Sequence, residues 1–228
     1  MKRASWILFL LLFSRCAYTQ SAEGLLQQVR QKLELVNDYE AKGKLRTNLL
    51  FIKAPIVSVQ IFYKKPNKFK IINENGFSFI PKSMANLNLN KFFSSVGDYE
   101  LLDGGIEAGT NLRVIKLLPI DENSEWALSV LFINEKNKLV YKIRNTTRES
   151  GTYELQLTYG NFIEFGLPDK IAFSFNTKAY KLPKGMTLDY DIGNDKVKNS
   201  GVPKKGNVEI LFSTYKINKG IADAVFEN

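Results

Sequence analysis

From residue 39 onward, apolar and polar residues alternate with a period of two over most of the chain. That pattern restricts the fold more than any other feature. Tyr39, Ala41, Gly43 and Leu45 alternate with Glu40, Lys42, Lys44 and Arg46, and Val57, Val59, Ile61 and Tyr63 alternate with Ser58, Gln60 and Phe62. Successive side chains of a strand point to opposite faces, so each segment reads as a half-buried strand. Lys65-Pro66-Asn67 then turns the chain into Phe69 and Ile71, which makes a hairpin. Further strands are predicted at Leu112–Leu118, Trp126–Ile133, Lys138–Arg144, Thr152–Tyr159, Lys170–Ala179 and Val208–Tyr215. Short connections separate several of them, such as Asn134-Glu135-Lys136-Asn137 and Leu167-Pro168-Asp169. Strands in series with tight turns call for one antiparallel sheet.

One helix precedes the sheet. Leu25, Leu26, Val29, Leu33 and Val36 fall near helical spacing, Ser21 is placed to cap, and Glu23 suits the first turn, so Ser21–Val36 is predicted helical. Gly76-Phe77-Ser78-Phe79-Ile80-Pro81 is apolar with a proline stop, and a short helix near Leu87–Val96 offers Phe92, Phe93 and Val96 on one side. These short elements beside a curled sheet make a half-covered barrel. The fold class is mainly β (α+β): an incomplete antiparallel β-barrel covered by an N-terminal helix and short lid helices. Lys184–Lys205, rich in Gly, Asn and Lys, reads as a surface loop inside a single domain, residues 21–228.

Residues 1–20 read as an export signal. Lys2 and Arg3 precede the apolar run Trp6–Phe13, which is too short to span a membrane. Cleavage is expected between Cys16 and Ser21. Lipidation of Cys16 is the alternative, although Arg15 stands where that processing favours a small residue. Loss of Lys2, Arg3 and Arg15 lowers the 32 basic residues to 29 against 23 acidic ones, a net charge of +6 in place of +9.

The chain has no His and one Cys, which removes imidazole-based catalysis, an internal disulfide and cysteine metal clusters. No Ser sits in a G-x-S-x-G elbow. Asp189 and Asp191 form a D-x-D without the further oxygen ligands of a calcium loop, and Asn145-Thr146-Thr147 is a sequon with meaning only in a eukaryotic secretory route. No nucleic-acid motif is present. The reading is a non-enzymatic binder with no cofactor, no metal and no nucleic-acid partner. Its candidate surface is the inward strand face: Val57, Val59, Ile61, Tyr63, Leu128, Val130, Leu155, Leu157, Phe173 and Phe175. Period two alone leaves open whether this face lines a cavity or packs into a solid core.

Several segments resemble the LolA-like lipoprotein carriers. Ile61-Phe62-Tyr63-Lys64-Lys65-Pro66-Asn67-Lys68-Phe69 looks like that family's hairpin signature. Leu89–Val96, before the strand start at Asp98-Tyr99, sits where the family places a lid helix. Leu117-Leu118-Pro119, Leu128–Ile133 with Leu139 and Tyr141, and the closing stretch Tyr215–Ile221 follow in matching order. The resemblance implies an unclosed barrel whose apolar cavity holds acyl chains, with Phe77, Phe79, Phe92, Phe93 and Val96 as rim and lid. It also implies a lid-control role at Lys65, where the family commonly has Arg. A monomeric periplasmic carrier is implied, loaded with acylated lipoproteins by an inner-membrane lipoprotein-releasing transporter. Delivery would be to an outer-membrane acceptor or the bilayer. A lipid or glycolipid binder, or an envelope-stress sensor, of the same fold is the alternative; a hydrolase is more distant.

Overall fold

The computed structural model describes residues 20–49, 52–53, 56–73, 98–149, 151–176 and 205–227. The export signal with Cys16, the rim and lid candidates Phe77, Phe79, Phe92, Phe93 and Val96, the Asp189/Asp191 pair and nearly all of the 184–205 loop lie outside them.

Helix α1 spans Ala22–Leu33. Ser21 caps it as expected, its hydroxyl accepting from the Gly24 N–H at 3.1 Å, with Glu23 in the first turn and Arg30 and Lys32 in the last. The buried face is Ala22, Leu25, Leu26, Val29 and Leu33. The helix stops before Val36 because tertiary partners take its last carbonyls. Lys65 Nζ donates to the Glu34 carbonyl at 2.8 Å, and Asn218 Nδ2 donates to the Leu35 carbonyl at 2.9 Å. Val36 turns away into a small cluster with Tyr63 and Leu167.

The strands are β1 (Asp38–Leu49), β2 (Ile52–Lys53), β3 (Val57–Lys64), β4 (Lys68–Asn73), β5 (Tyr99–Ile106), β6 (Arg113–Pro119), β7 (Trp126–Asn134), β8 (Leu139–Thr147), β9 (Gly151–Thr158), β10 (Lys170–Asn176) and β11 (Lys205–Ile217). They form one sheet in the order β4-β3-β1-β11-β10-β9-β8-β7-β6-β5, with β2 paired to β1. The ladders are antiparallel. Among the described residues no ladder joins β4 to β5, so the barrel is open between them. The C-terminal strand lies beside the first one, and Asn218 and Asp38 secure that closure. Asn218 Oδ1 accepts from the Asn37 N–H at 2.7 Å, and Asp38 Oδ1 accepts from the N–H groups of Lys219 and Gly220, each at 3.0 Å.

The predicted alternation holds on β1, where Ala41, Gly43 and Leu45 are buried while Lys42, Lys44 and Arg46 are exposed. Gly43 marks a bulge in the β1–β11 ladder. A Cβ there would lie 2.5 Å from the Leu211 carbonyl oxygen, so the close approach of the two backbones requires glycine. β5 is a strand that periodicity left unassigned beyond its start at Asp98-Tyr99. Its Asp103-Gly104-Gly105 segment carries a bulge, with Gly105 at φ +73, and glycines in a strand erase the alternating pattern.

The main core joins the buried face of α1 to the inner faces of the strands, from Ala41 and Ile61 through Ile115, Leu131 and Ile143 to Phe173 and Ile210. A smaller cluster, Leu112, Val114, Val130 and Phe132 with Leu128 and Tyr141, forms on β6–β8 apart from it.

Candidate functional site

The inner face of the half-barrel is the strongest candidate because it gathers most of the residues that the alternation selected. Val59, Ile61, Leu155, Leu157, Phe173 and Phe175 meet in one core with Leu25, Leu26, Val29 and Leu33 of α1. Register explains the grouping: Phe173 lies opposite Leu155 on one side and Val208 on the other. Val57 is buried at 6% exposure. Tyr63, at 1%, belongs to the cluster at the end of the barrel with Val36 and Leu167.

Leu128 and Val130 are corrected. They lie in the separate cluster with Val114 and Phe132, while Trp126, Leu131 and Ile133 join the main core. The cause is a bulge between Trp126 and Leu128. One extra residue shifts the inward phase of β7 from even to odd positions, which moves every later side chain to the other face.

Sequence reasoning selected Tyr63 but not the aromatic end of the barrel around it. Tyr39 packs on Tyr63 at 5.3 Å and on Tyr215 at 5.5 Å between ring centroids. Phe162 and Phe212 reach Tyr215 at 4.8 and 5.1 Å. Tyr39, Tyr63, Phe212 and Tyr215, with Leu33, Ile61 and Phe69, border a hollow of about 40 Å³, room for roughly three waters. Two of the half-buried phenols are donors: Tyr159 to the Val140 carbonyl and Tyr215 to the Pro168 carbonyl, each at 2.8 Å. Burial pushes the hydroxyls of Tyr39, Tyr159 and Tyr215 well above the usual tyrosine range. The signal available in sequence was that Tyr39 and Tyr215 stand on the apolar phase of their strands.

A polar pair inside the core was also missed. Ser129 and Asn145 are fully buried and face each other across β7 and β8. Asn145 Nδ2 donates to the Tyr153 hydroxyl at 3.1 Å, whereas Ser129 Oγ and Asn145 Oδ1 have no hydrogen-bond partner among the described residues. Asn145 had drawn notice only as part of a sequon; its burial follows from the phase of β8. Among the described residues no group of three or more Cys, Asp or Glu side chains is arranged to hold a metal ion.

Lys65 stands at the hairpin turn, where the Lys65–Pro66 peptide is cis. Its ammonium donates to the Glu34 carbonyl at 2.8 Å and the Glu34 carboxylate at 2.7 Å, with Asn37 Oδ1 at 3.4 Å. The side chain thus ties the β3–β4 turn to the C-terminal end of α1, where a cation is favoured by the helix dipole. Lys65→Glu removes these bonds and sets two carboxylates against each other. It is expected to lower stability by about 1–2 kcal/mol, while Lys136→Glu in the exposed β7–β8 turn stays within about 0.5 kcal/mol of wild type. Urea denaturation of both variants checks this.

Solved structures share this architecture. An outer membrane lipoprotein-sorting protein domain from Vibrio parahaemolyticus superimposes with a TM-score of 0.50 at 12% identity, covering 89% of this chain and 94% of that one. A LolA superfamily protein from Nitrosomonas europaea gives 0.51 at 13% identity, over 89% and 97%. The fold is LolA-like. A DUF1329 family protein from Desulfovibrio piger gives 0.52 at 11% identity, over 89% and 94%. No protein-family model matches the chain, and no curated protein sequence matches it. The LolA-like half-barrel places the apolar face under α1 and leaves the sheet unclosed between β4 and β5 among the described residues.

Proposed function

We propose that this protein is a periplasmic, non-enzymatic carrier that takes up the acyl chains of lipoproteins between α1 and the inner face of the sheet and delivers them to the outer membrane. The observation that carries the reading is an open antiparallel half-barrel with a largely apolar inner face, in a fold shared with a domain named for lipoprotein sorting. Each buried methylene returns roughly 0.8 kcal/mol, so loading needs a source of energy and release needs a competing apolar acceptor. An inner-membrane lipoprotein-releasing transporter would supply the first, and an outer-membrane acceptor or the bilayer the second.

The hollow of about 40 Å³ at the barrel end is far smaller than an acyl chain. In this reading, uptake displaces side chains and parts α1 from the sheet, and the Lys65–Glu34 tie sits across the seam that opens. The experiment is native mass spectrometry of the processed protein purified gently from cells, followed by analysis of extracted lipids. Acylated lipoprotein or its lipid-modified peptide is the expected ligand. Recovery of free lipid or glycolipid alone would favour a binder of the same fold without lipoprotein traffic. No apolar ligand, together with normal lipoprotein sorting after depletion, would overturn the carrier reading.

A further inference from the structure

We propose that the outer face of β1, β3 and β11 docks on the surface of an anionic lipid bilayer, through Lys42, Lys44 and Arg46 and the apolar side chains beside them. This surface is on the opposite side of the sheet from the apolar inner face and does not depend on the carrier reading.

The three basic residues follow one another at every second position of β1, about 7 Å apart. All are exposed, because Ala41, Gly43 and Leu45 occupy the buried phase. The carboxylates nearby are already engaged. Glu40 pairs with Lys216 at 3.0 Å and Glu209 with Lys170 at 2.8 Å; Asp223 pairs with Lys64 and Lys68. Among the described residues Lys42, Lys44 and Arg46 have no carboxylate within ion-pair distance. Glu40 partly offsets Lys42, and Glu209, opposite Arg46 in the β1–β11 ladder, partly offsets Arg46; the positive charge left over on this face is available to an outside partner.

The apolar component decides which partner. A groove of about 500 Å³ runs along this face beside the three cations, and Ile56, Ile72 and Leu211 line it too. Those three side chains are 54%, 42% and 44% exposed. A phosphate-rich or acidic partner rewards the cations alone, whereas exposed branched side chains among cations match the boundary between headgroups and acyl chains. Leu211 lies opposite Lys44 in the β1–β11 ladder and so shares its outward face.

The test is co-sedimentation of the soluble processed protein with vesicles of phosphatidylcholine alone or mixed with phosphatidylglycerol. A basic side chain near an anionic surface contributes roughly a fivefold gain in partitioning. The variant K42Q/K44Q/R46Q should therefore bind the mixed vesicles about a hundredfold less tightly than wild type at low salt. K116Q/K136Q/K219Q, which removes the same net charge from exposed positions elsewhere, should stay within about threefold. Leu211→Ser should weaken binding several-fold with no change in salt dependence. Circular dichroism confirms that the variants, all altered at exposed positions, retain the fold. Failure of wild type to sediment with the mixed vesicles, as an acidic protein partner for this face would give, overturns the proposal. Equal losses in the two triple variants overturn it as well, because binding would then follow net charge and not this face.

Discussion

Truncating Phe173 to alanine is expected to lower the unfolding free energy by about 3–5 kcal/mol. Phe173 is 1% exposed, and its ring sits 5.1 Å from Tyr153 and 5.4 Å from Phe175 between centroids. It stands between Leu155 and Val208 in the middle of the sheet. Deleting the ring removes its burial energy and leaves a void that strands held by ladders on both sides cannot collapse to fill. The result also bears on how the protein binds. A residue that merely lines a roomy cavity already lacks neighbours on one side, so its truncation would cost about 1–2 kcal/mol. The packed arrangement requires the larger figure and, on the proposed carrier reading, a ligand that enters by displacement. Phe173→Leu, which keeps much of the volume, should cost no more than about 1.5 kcal/mol. Urea midpoints at constant m-value measure both. A small loss for alanine would refute the packed core and restore a preformed cavity.

Alkali should unfold the protein with a steep dependence on pH, and two phenols account for much of it. Tyr159 and Tyr215 donate to backbone carbonyls inside the barrel, and burial raises both above the usual value of 10. Below pH 10 the folded and unfolded states are both protonated, so the contribution of each tyrosine is fully present. Above pH 10 the unfolded state releases protons that the folded state keeps, and stability falls until the folded groups themselves titrate. Each group supplies a slope of about 1.4 kcal/mol per pH unit, so the pair supplies about 3. Tyr159→Phe and Tyr215→Phe should each remove about half of that slope, at a cost near neutrality of about 1 kcal/mol for the lost hydrogen bond. Stability measured from pH 8 to 11 on the three proteins gives the comparison. Parallel curves would show that these phenols do not control alkaline unfolding.

Much of the architecture was legible in the sequence because strand alternation is local. Ser21, with Leu25, Leu26, Val29 and Leu33, marked the helix before any partner was known, and the KKPN turn marked the hairpin. Val59, Ile61, Leu155, Leu157, Phe173 and Phe175 were chosen by phase alone, and they meet in one core. The same reasoning failed on β7. A bulge has no fixed residue signature, and one inserted position carried Leu128 and Val130 to the other face. β5 was obscured by Gly104 and Gly105 for a related reason: residues without a side chain carry no phase.

What the sequence determined by itself was which residues face inward wherever no bulge or glycine pair interrupts the alternation, and that no imidazole chemistry is available to them. Tertiary structure alone decided how full the interior is. Ala41 and Phe173 obey the same alternation, yet the space between such residues depends on the twist of the sheet and on how closely α1 approaches it. Those are long-range quantities, and no window of the chain contains them. The outer face was divided in the same way. Alternation put Lys42, Lys44 and Arg46 outside, but it was Lys216 and Lys170, distant in sequence, that came to form the direct ion pairs with Glu40 and Glu209.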